Sequence, residues 1–165
     1  MSHAALADLL AKQSITEQIY AYCRAMDRMD ADLGRAVWHE TGTADYGSIF
    51  KGTGHGFIDW VNKQHSALLM HSHQVTNILV KVKGRYATSE SYLTVALRHE
   101  ENGHLLETVS RGRYVDRWSR RKKKWAIDHR IFIYDFGETH EVARNRIDGW
   151  GRRDETDFSY AVLGA

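Results

Sequence analysis

Proline is absent from the 165 residues and cysteine occurs once, so neither a proline-rich linker nor an intramolecular disulfide organises this chain. The single thiol, Cys23, falls inside a helical pattern where a small side chain packs well, and nothing points to an oxidising compartment. Excess charge is also missing: 23 basic against 21 acidic side chains leave a net charge of +2, too little to imply a field for nucleic acid or membrane. The basic run at 117–124 lies between two strand-like segments and reads as a solvated hairpin turn, with no nucleic-acid signature beside it. No apolar run approaches the ~18 residues a membrane span requires. The opening MSHAALADLL lacks the basic-then-apolar order of a secretory leader, so a cytoplasmic protein is expected, with no membrane and no nucleic acid as partners. With no internal repeat or low-complexity tract, residues 1–165 read as one domain, long enough to bury a core.

What is present is a change of period. Over 4–29 the apolar positions Leu6, Leu9, Leu10, Ile15, Ile19, Tyr22, Cys23 and Met26 recur at three- and four-residue steps, as in a long amphipathic helix. Ser14 and Glu17 have capping-box spacing, which leaves open a short entry helix and a main helix from Ser14. Residues 32–40 suit a second helix with Leu33, Val37 and Trp38 inward, 43–50 a short strand, KGTGHG a tight turn, and 56–69 a third helix. From there the period is two: 71–83, 86–98, 105–119 and 125–136 read as four long strands joined by short turns. Helices first and sheet after is the α+β order. The expected fold is a strongly curved, mixed or antiparallel sheet closed into a cone by the N-terminal helix, with the ligand site on the concave side. Ile78, Val80, Val82, Leu93, Val95 and Leu97, read as outward, are too apolar for solvent and predict a homo-oligomer, a trimer or dimer.

The stretch HSHQVTNILVKV, 71–82, is unusual for a half-buried strand. A period of two places His71, His73, Val75, Asn77 and Leu79 on one face, polar groups set in an apolar lining. His73 then reads either as a half-exposed residue at a strand end or as a general base facing a pocket. Asp27 falls near the C-terminus of the long helix, where the dipole disfavours an anion; it either frays into solvent or faces a donor. On the last strands the inward candidates are Arg113 or Tyr114, and Arg130 with Phe132 and Tyr134. His71 and His73 could chelate, but no third ligand stands at standard spacing, so no metal is expected.

Tyr22-x-x-x-x-Asp27, ADYG at 44–47, His73-x-x-x-Asn77, GRYVDRW at 112–118 and WAIDHR at 125–130 together make the chain resemble the SnoaL-like branch of the nuclear transport factor 2-like superfamily, which has a cystatin-like fold. The resemblance covers nearly the whole chain, including the closing GRRDETDFSYAVLG at 151–164. It is similar in particular to bile-acid 7α-dehydratase, scytalone dehydratase and hexachlorocyclohexane dehydrochlorinase. It implies a His–Asp dyad that removes a proton without metal or organic cofactor. By the motif positions it assigns His73 as base, Asp27 as its partner, Tyr22 as a donor and Arg130 as the completing arginine. Tyr46, His71, Asn77, Trp38 and Tyr114 are expected to contact substrate.

An elimination needs a base for the proton and donors for the charge that develops. A carboxylate beside an imidazole fixes its tautomer and stabilises the imidazolium. The expected function is therefore a cofactor-independent lyase, a dehydratase or formaldehyde-lyase, acting on a hydrophobic, aromatic or polycyclic small molecule. Alternatives on the same scaffold are an isomerase or cyclase, or a non-catalytic ligand-binding or dioxygenase-subunit-like protein.

Overall fold

Twenty-six residues without an internal glycine or proline form one unbroken helix in the computed structural model, which describes residues 2–144 and 149–163. This helix, α1 (His3–Arg28), is capped by the Ser2 hydroxyl and ends at Met29 in the left-handed conformation; Ser14 starts no new helix. Its face of Ile15, Ile19, Tyr22 and Met26 is buried. A short α2 (Ala31–Ala36) stops earlier than expected, because β1 (Trp38–Asp45) already begins at Trp38. The strand expected at 43–50 thus starts five residues sooner and ends at a turn through Gly47, followed by β2 (Lys51–Thr53). The glycines of KGTGHG serve β2 and the first turn of α3 (Gly54–His65), and α3 ends four residues short of the expected limit.

Four long strands follow: β3 (Met70–Lys83), β4 (Tyr86–Glu101), β5 (His104–Arg121) and β6 (Lys124–Glu141). They pair antiparallel in sequence, while β1 runs parallel to β6, giving one mixed sheet in the order β2-β1-β6-β5-β4-β3. Asn102-Gly103, both at positive φ, form the tight turn that right-twisted strands favour. A short α4 (Phe158–Leu163) closes the described chain. The sheet curls around α1 without closing, and no described helix is long and apolar enough to cross a membrane.

Bulges give the sheet its curl and overturn part of the expected facing. In β3 the register slips between Thr76 and Leu79, with Asn77 at φ 50°. The slip exchanges faces. His71, His73 and Val75 are inward, then Ile78, Val80 and Val82 pack on the core, and Leu79 turns out to 65% exposure. On β4, Leu93, Val95 and Leu97 line the concave side. None of the six residues on which self-association was expected therefore faces outward. The convex side instead carries Tyr92 and Ile131, with Arg113 paired to Asp135 and Glu90.

Close packing at the α3 entrance yields a test. A Cβ added to Gly54 would lie 2.2 Å from the indole of buried Trp38, whereas one at Gly149 would meet nothing. Gly54→Ala should lower unfolding free energy by about 1–3 kcal/mol, the usual penalty of overpacking, and Gly149→Ala should be near neutral in the same denaturant titration.

Candidate functional site

The last turn of α1 lies against the start of β3, and the two elements meet at Asp27 and His73. The Asp27 carboxylate accepts from His73 Nδ1 at 2.6 Å and from the His73 backbone N–H at 3.0 and 3.1 Å to its two oxygens. A carboxylate at a helix C-terminus is held here by three contacts from a single residue of the neighbouring strand. Because an ionised carboxylate only accepts, Nδ1 carries a proton, and in the neutral form of the ring the lone pair is on Nε2. The His73 ring lines the concave cavity, and Nε2 has no hydrogen bond among the described residues.

The cavity has a volume of about 210 Å³ and is walled mainly by apolar and aromatic groups: Met26, Phe57, Trp60, Leu93, Val95 and Phe132. That is below the ~300–1,000 Å³ of drug-sized sites and suits a molecule of one or two rings. Polar atoms enter the wall at Tyr22, Tyr46, Tyr114, His65, Ser110 and Tyr134. The Tyr22 and Tyr46 hydroxyls share a 2.8 Å hydrogen bond, and Tyr46 stacks on Phe57 at 3.9 Å. Burial raises both phenols well above their usual value, outweighing the downward pull of the Arg130 cation. They stay neutral hydroxyls.

Of the nine residues expected at the site, four lie on the cavity wall, His73, Tyr22, Tyr46 and Tyr114, and a fifth, Asp27, stands behind it bound to His73. The other four do not. Arg130 is fully buried and absent from the wall; its Nε and one terminal nitrogen donate to Asp116 at 2.7 and 2.8 Å, and its charge lies over the rings of Tyr114 and Tyr22 at 4.0 and 4.3 Å. Trp38 is buried behind it against Gly54. The β3 bulge carries Asn77 to an exposed position away from the cavity. His71 turns into the protein, where Nδ1 donates to the Met26 carbonyl at 3.0 Å and Nε2 accepts from Arg153 at 2.9 Å.

His65, at the end of α3, lines the cavity with its ring 4.6 Å from that of His71. Nothing in its local pattern distinguishes it from an exposed His at a helix end. Among the described residues no cluster of three or more His, Cys, Asp or Glu stands in reach of a common metal ion.

Burial lowers both His65 and His71 from 6.5 to about 4; for His65 the His71 and His73 charges act the same way, while for His71 the Met26 carbonyl opposes it. Both bind protons more readily when unfolded. Their contribution to stability is complete above pH 6.5 and is lost as pH falls toward 4. The thermal midpoint should decline across that window, and the decline should be shallower in His65→Gln.

The SnoaL-like domain model matches residues 7–131. No curated protein matches the sequence. Among solved structures, a scytalone dehydratase candidate from Novosphingobium aromaticivorans DSM 12444 superposes with a TM-score of 0.70 at 18% identity, over 87% of this chain and 95% of its own. Hexachlorocyclohexane dehydrochlorinase LinA-type3 from Novosphingobium barchaimii LL02 gives 0.72 at 14% identity, over 88% and 99%. A protein of unknown function with a cystatin-like fold from Nostoc punctiforme gives 0.63 at 20% identity, over 76% and 92%. Identities this low establish the shared fold, and the match of the domain model across most of the sequence establishes more: the chain belongs to the SnoaL-like domain family, within the nuclear transport factor 2-like superfamily.

Proposed function

We propose that this protein is a cofactor-independent lyase in which His73 Nε2 removes a proton from a small, neutral, largely apolar ring compound and a neighbouring oxygen substituent leaves. The observation that carries the reading is the 2.6 Å Asp27–His73 contact on Nδ1, which leaves the basic Nε2 on the wall of an aromatic cavity. The scytalone dehydratase candidate and the dehydrochlorinase among the structural neighbours support this class of chemistry.

Each residue has a distinct part. His73 Nε2 takes the proton, the C–H electron pair becomes the new double bond, and the resulting imidazolium is stabilised by the Asp27 carboxylate. The raised phenols of Tyr22 and Tyr46 make poor acids, so the proton for the departing oxygen returns from the imidazolium and the products are the alkene and water. The tyrosine hydroxyls instead donate hydrogen bonds to oxygen as negative charge builds on it. Arg130 supports them from behind, as a fixed positive charge that never touches substrate.

A panel of cyclic and aryl alcohols, assayed for dehydration, tests the assignment. Replacing His73 by Gln or Asp27 by Asn should reduce turnover by about 10²–10⁴, the usual share of a general base, with the fold retained by circular dichroism. EDTA should leave the wild type unaffected; reversible loss with chelator would sink the reading.

The hydroxyl pair is tested separately. Tyr22→Phe and Tyr46→Phe should each lower turnover by about tenfold, one neutral hydrogen bond's worth, and the double variant should cost less than the product of the two, because the remaining hydroxyl depends on its partner for orientation. Strict multiplicativity would place the two hydroxyls in independent roles.

A further inference from the structure

The segment 149–163 returns from the far end of the sheet and binds the last turns of α1 through polar contacts. Asp157 accepts from the Arg152 N–H at 2.9 Å and from the backbone and hydroxyl of Ser159, and it faces Arg28 at 3.5 Å. Arg24 donates to Ser159 at 3.0 Å and lies over the Tyr160 ring at 4.6 Å, and the Tyr160 hydroxyl donates to Asp30 at 3.0 Å. Arg24, Arg28 and Asp30 flank Asp27 in sequence on both sides.

At the head of this segment Arg153 reaches inward. Its guanidinium donates to the carbonyls of His65 and Leu68, in the connection between α3 and β3, and to His71 Nε2 at 2.9 Å. A guanidinium only donates and a carbonyl only accepts. Held between Arg153 on Nε2 and the Met26 carbonyl on Nδ1, His71 has one permitted state: neutral, with its proton on Nδ1. Burial, and the charges of Arg153 and His73, oppose a second proton there.

Met26 precedes Asp27 and His71 lies two residues before His73, so the chain of contacts runs Arg153, His71, Met26 carbonyl, and then the peptide that presents the Asp27 carboxylate. We propose that His71 and Arg153 are positioning residues: Arg153 and the Met26 carbonyl together hold His71 in one tautomer, and His71 fixes the end of α1 against β3 at the register in which Asp27 meets His73. The His-x-His pair divides its labour, one imidazole facing the cavity and the other holding the backbone of its partner's carboxylate. This inference rests on the dyad reading above.

Proton spectra of protein carrying isotope-labelled histidine test it without a substrate. In the wild type His71 should show a protonated Nδ1 and a bare Nε2, and His73 a slowly exchanging Nδ1 proton bound to Asp27. Arg153→Ala removes one of the two groups that hold the His71 ring and should speed exchange of the His73 Nδ1 proton about tenfold, as local opening becomes easier. His71→Asn, which keeps a short donor near the Met26 carbonyl, should preserve slow exchange, and His71→Ala should lose it. Asp157→Asn loosens the segment elsewhere and should move the same resonances less than Arg153→Ala; should Arg153→Ala fail to fold, the two His71 variants decide. Unchanged His73 exchange in Arg153→Ala, or equal exchange in His71→Asn and His71→Ala, would overturn the positioning roles and leave the dyad standing. A wild type with no Asp27-bound His73 proton would overturn the dyad itself.

Discussion

Arg130 carries a full positive charge into a place that water does not reach, and much of the interior is arranged around it. Its side chain is 0% exposed and its partner Asp116 is equally enclosed. Removing two charges from water costs several kcal/mol per ion before their attraction is counted. The fork-to-carboxylate geometry, with two bonds under 2.9 Å, offsets part of that, and the rings of Tyr22, Tyr114 and Trp38 offset more by presenting their electron-rich faces to the cation. Asp116 and Arg130 are direct partners across β5 and β6, and Arg130 stands beside Ala44 of β1. A shift of any of these strands by one residue would leave a buried charge unpaired. The pair thus fixes the register in the middle of the sheet, and through its ring contacts it also fixes the cavity end of α1.

The same charge explains why the catalytic candidates divide as they do. An arginine held along one edge by a buried carboxylate and absent from the cavity wall does not meet a ligand there, whereas its field acts through the phenols stacked on it. Burial is the stronger effect and keeps those phenols protonated, so the cavity offers hydroxyl donors and no phenolate. His73 is placed by different means, at the edge of the sheet, where β3 has only one strand neighbour and α1 supplies the second set of contacts.

Much of this was legible in the sequence, because helix and strand periods are written by core burial. The 3.6-residue rhythm of Ile15, Ile19, Tyr22 and Met26 is a direct record of the face that packs, and the long alternations after residue 70 record the sheet. The resemblance aligned Tyr22, Asp27 and His73, and the structure brings these segments to one end of the cone. What failed along β3 has a single physical cause. Facing along a long strand is inherited from residue to residue, and one extra residue at Asn77 reverses it. Asn77 thereby left the site, Ile78, Val80 and Val82 entered the core, and the basis for an apolar outer face disappeared. Arg130 was assigned inward correctly, but no sequence pattern reveals that Asp116 claims it. Arg153 and His65 lie where chain pattern is silent, one in an irregular segment and the other at a helix end, and only their contacts identify them.

The wall of the cavity also limits what can enter it. Among the described residues Asp27 is the carboxylate at the site, and its oxygens are occupied by the backbone and ring of His73. Arg130, beneath the wall, is paired with Asp116. An anionic group brought into this space would lose hydration and find hydroxyls and imidazoles in exchange, at a cost of several kcal/mol that a cavity of about 210 Å³ has little surface to offset. A neutral ring with one or two oxygen substituents meets no such cost, because its rings face Phe57, Trp60 and Phe132 while its oxygens face Tyr22, Tyr46 and His65. The preference for a neutral ring in the proposed reaction therefore rests on the arrangement that holds the fold together. The charge that would have bound an anion is the one that locks the sheet.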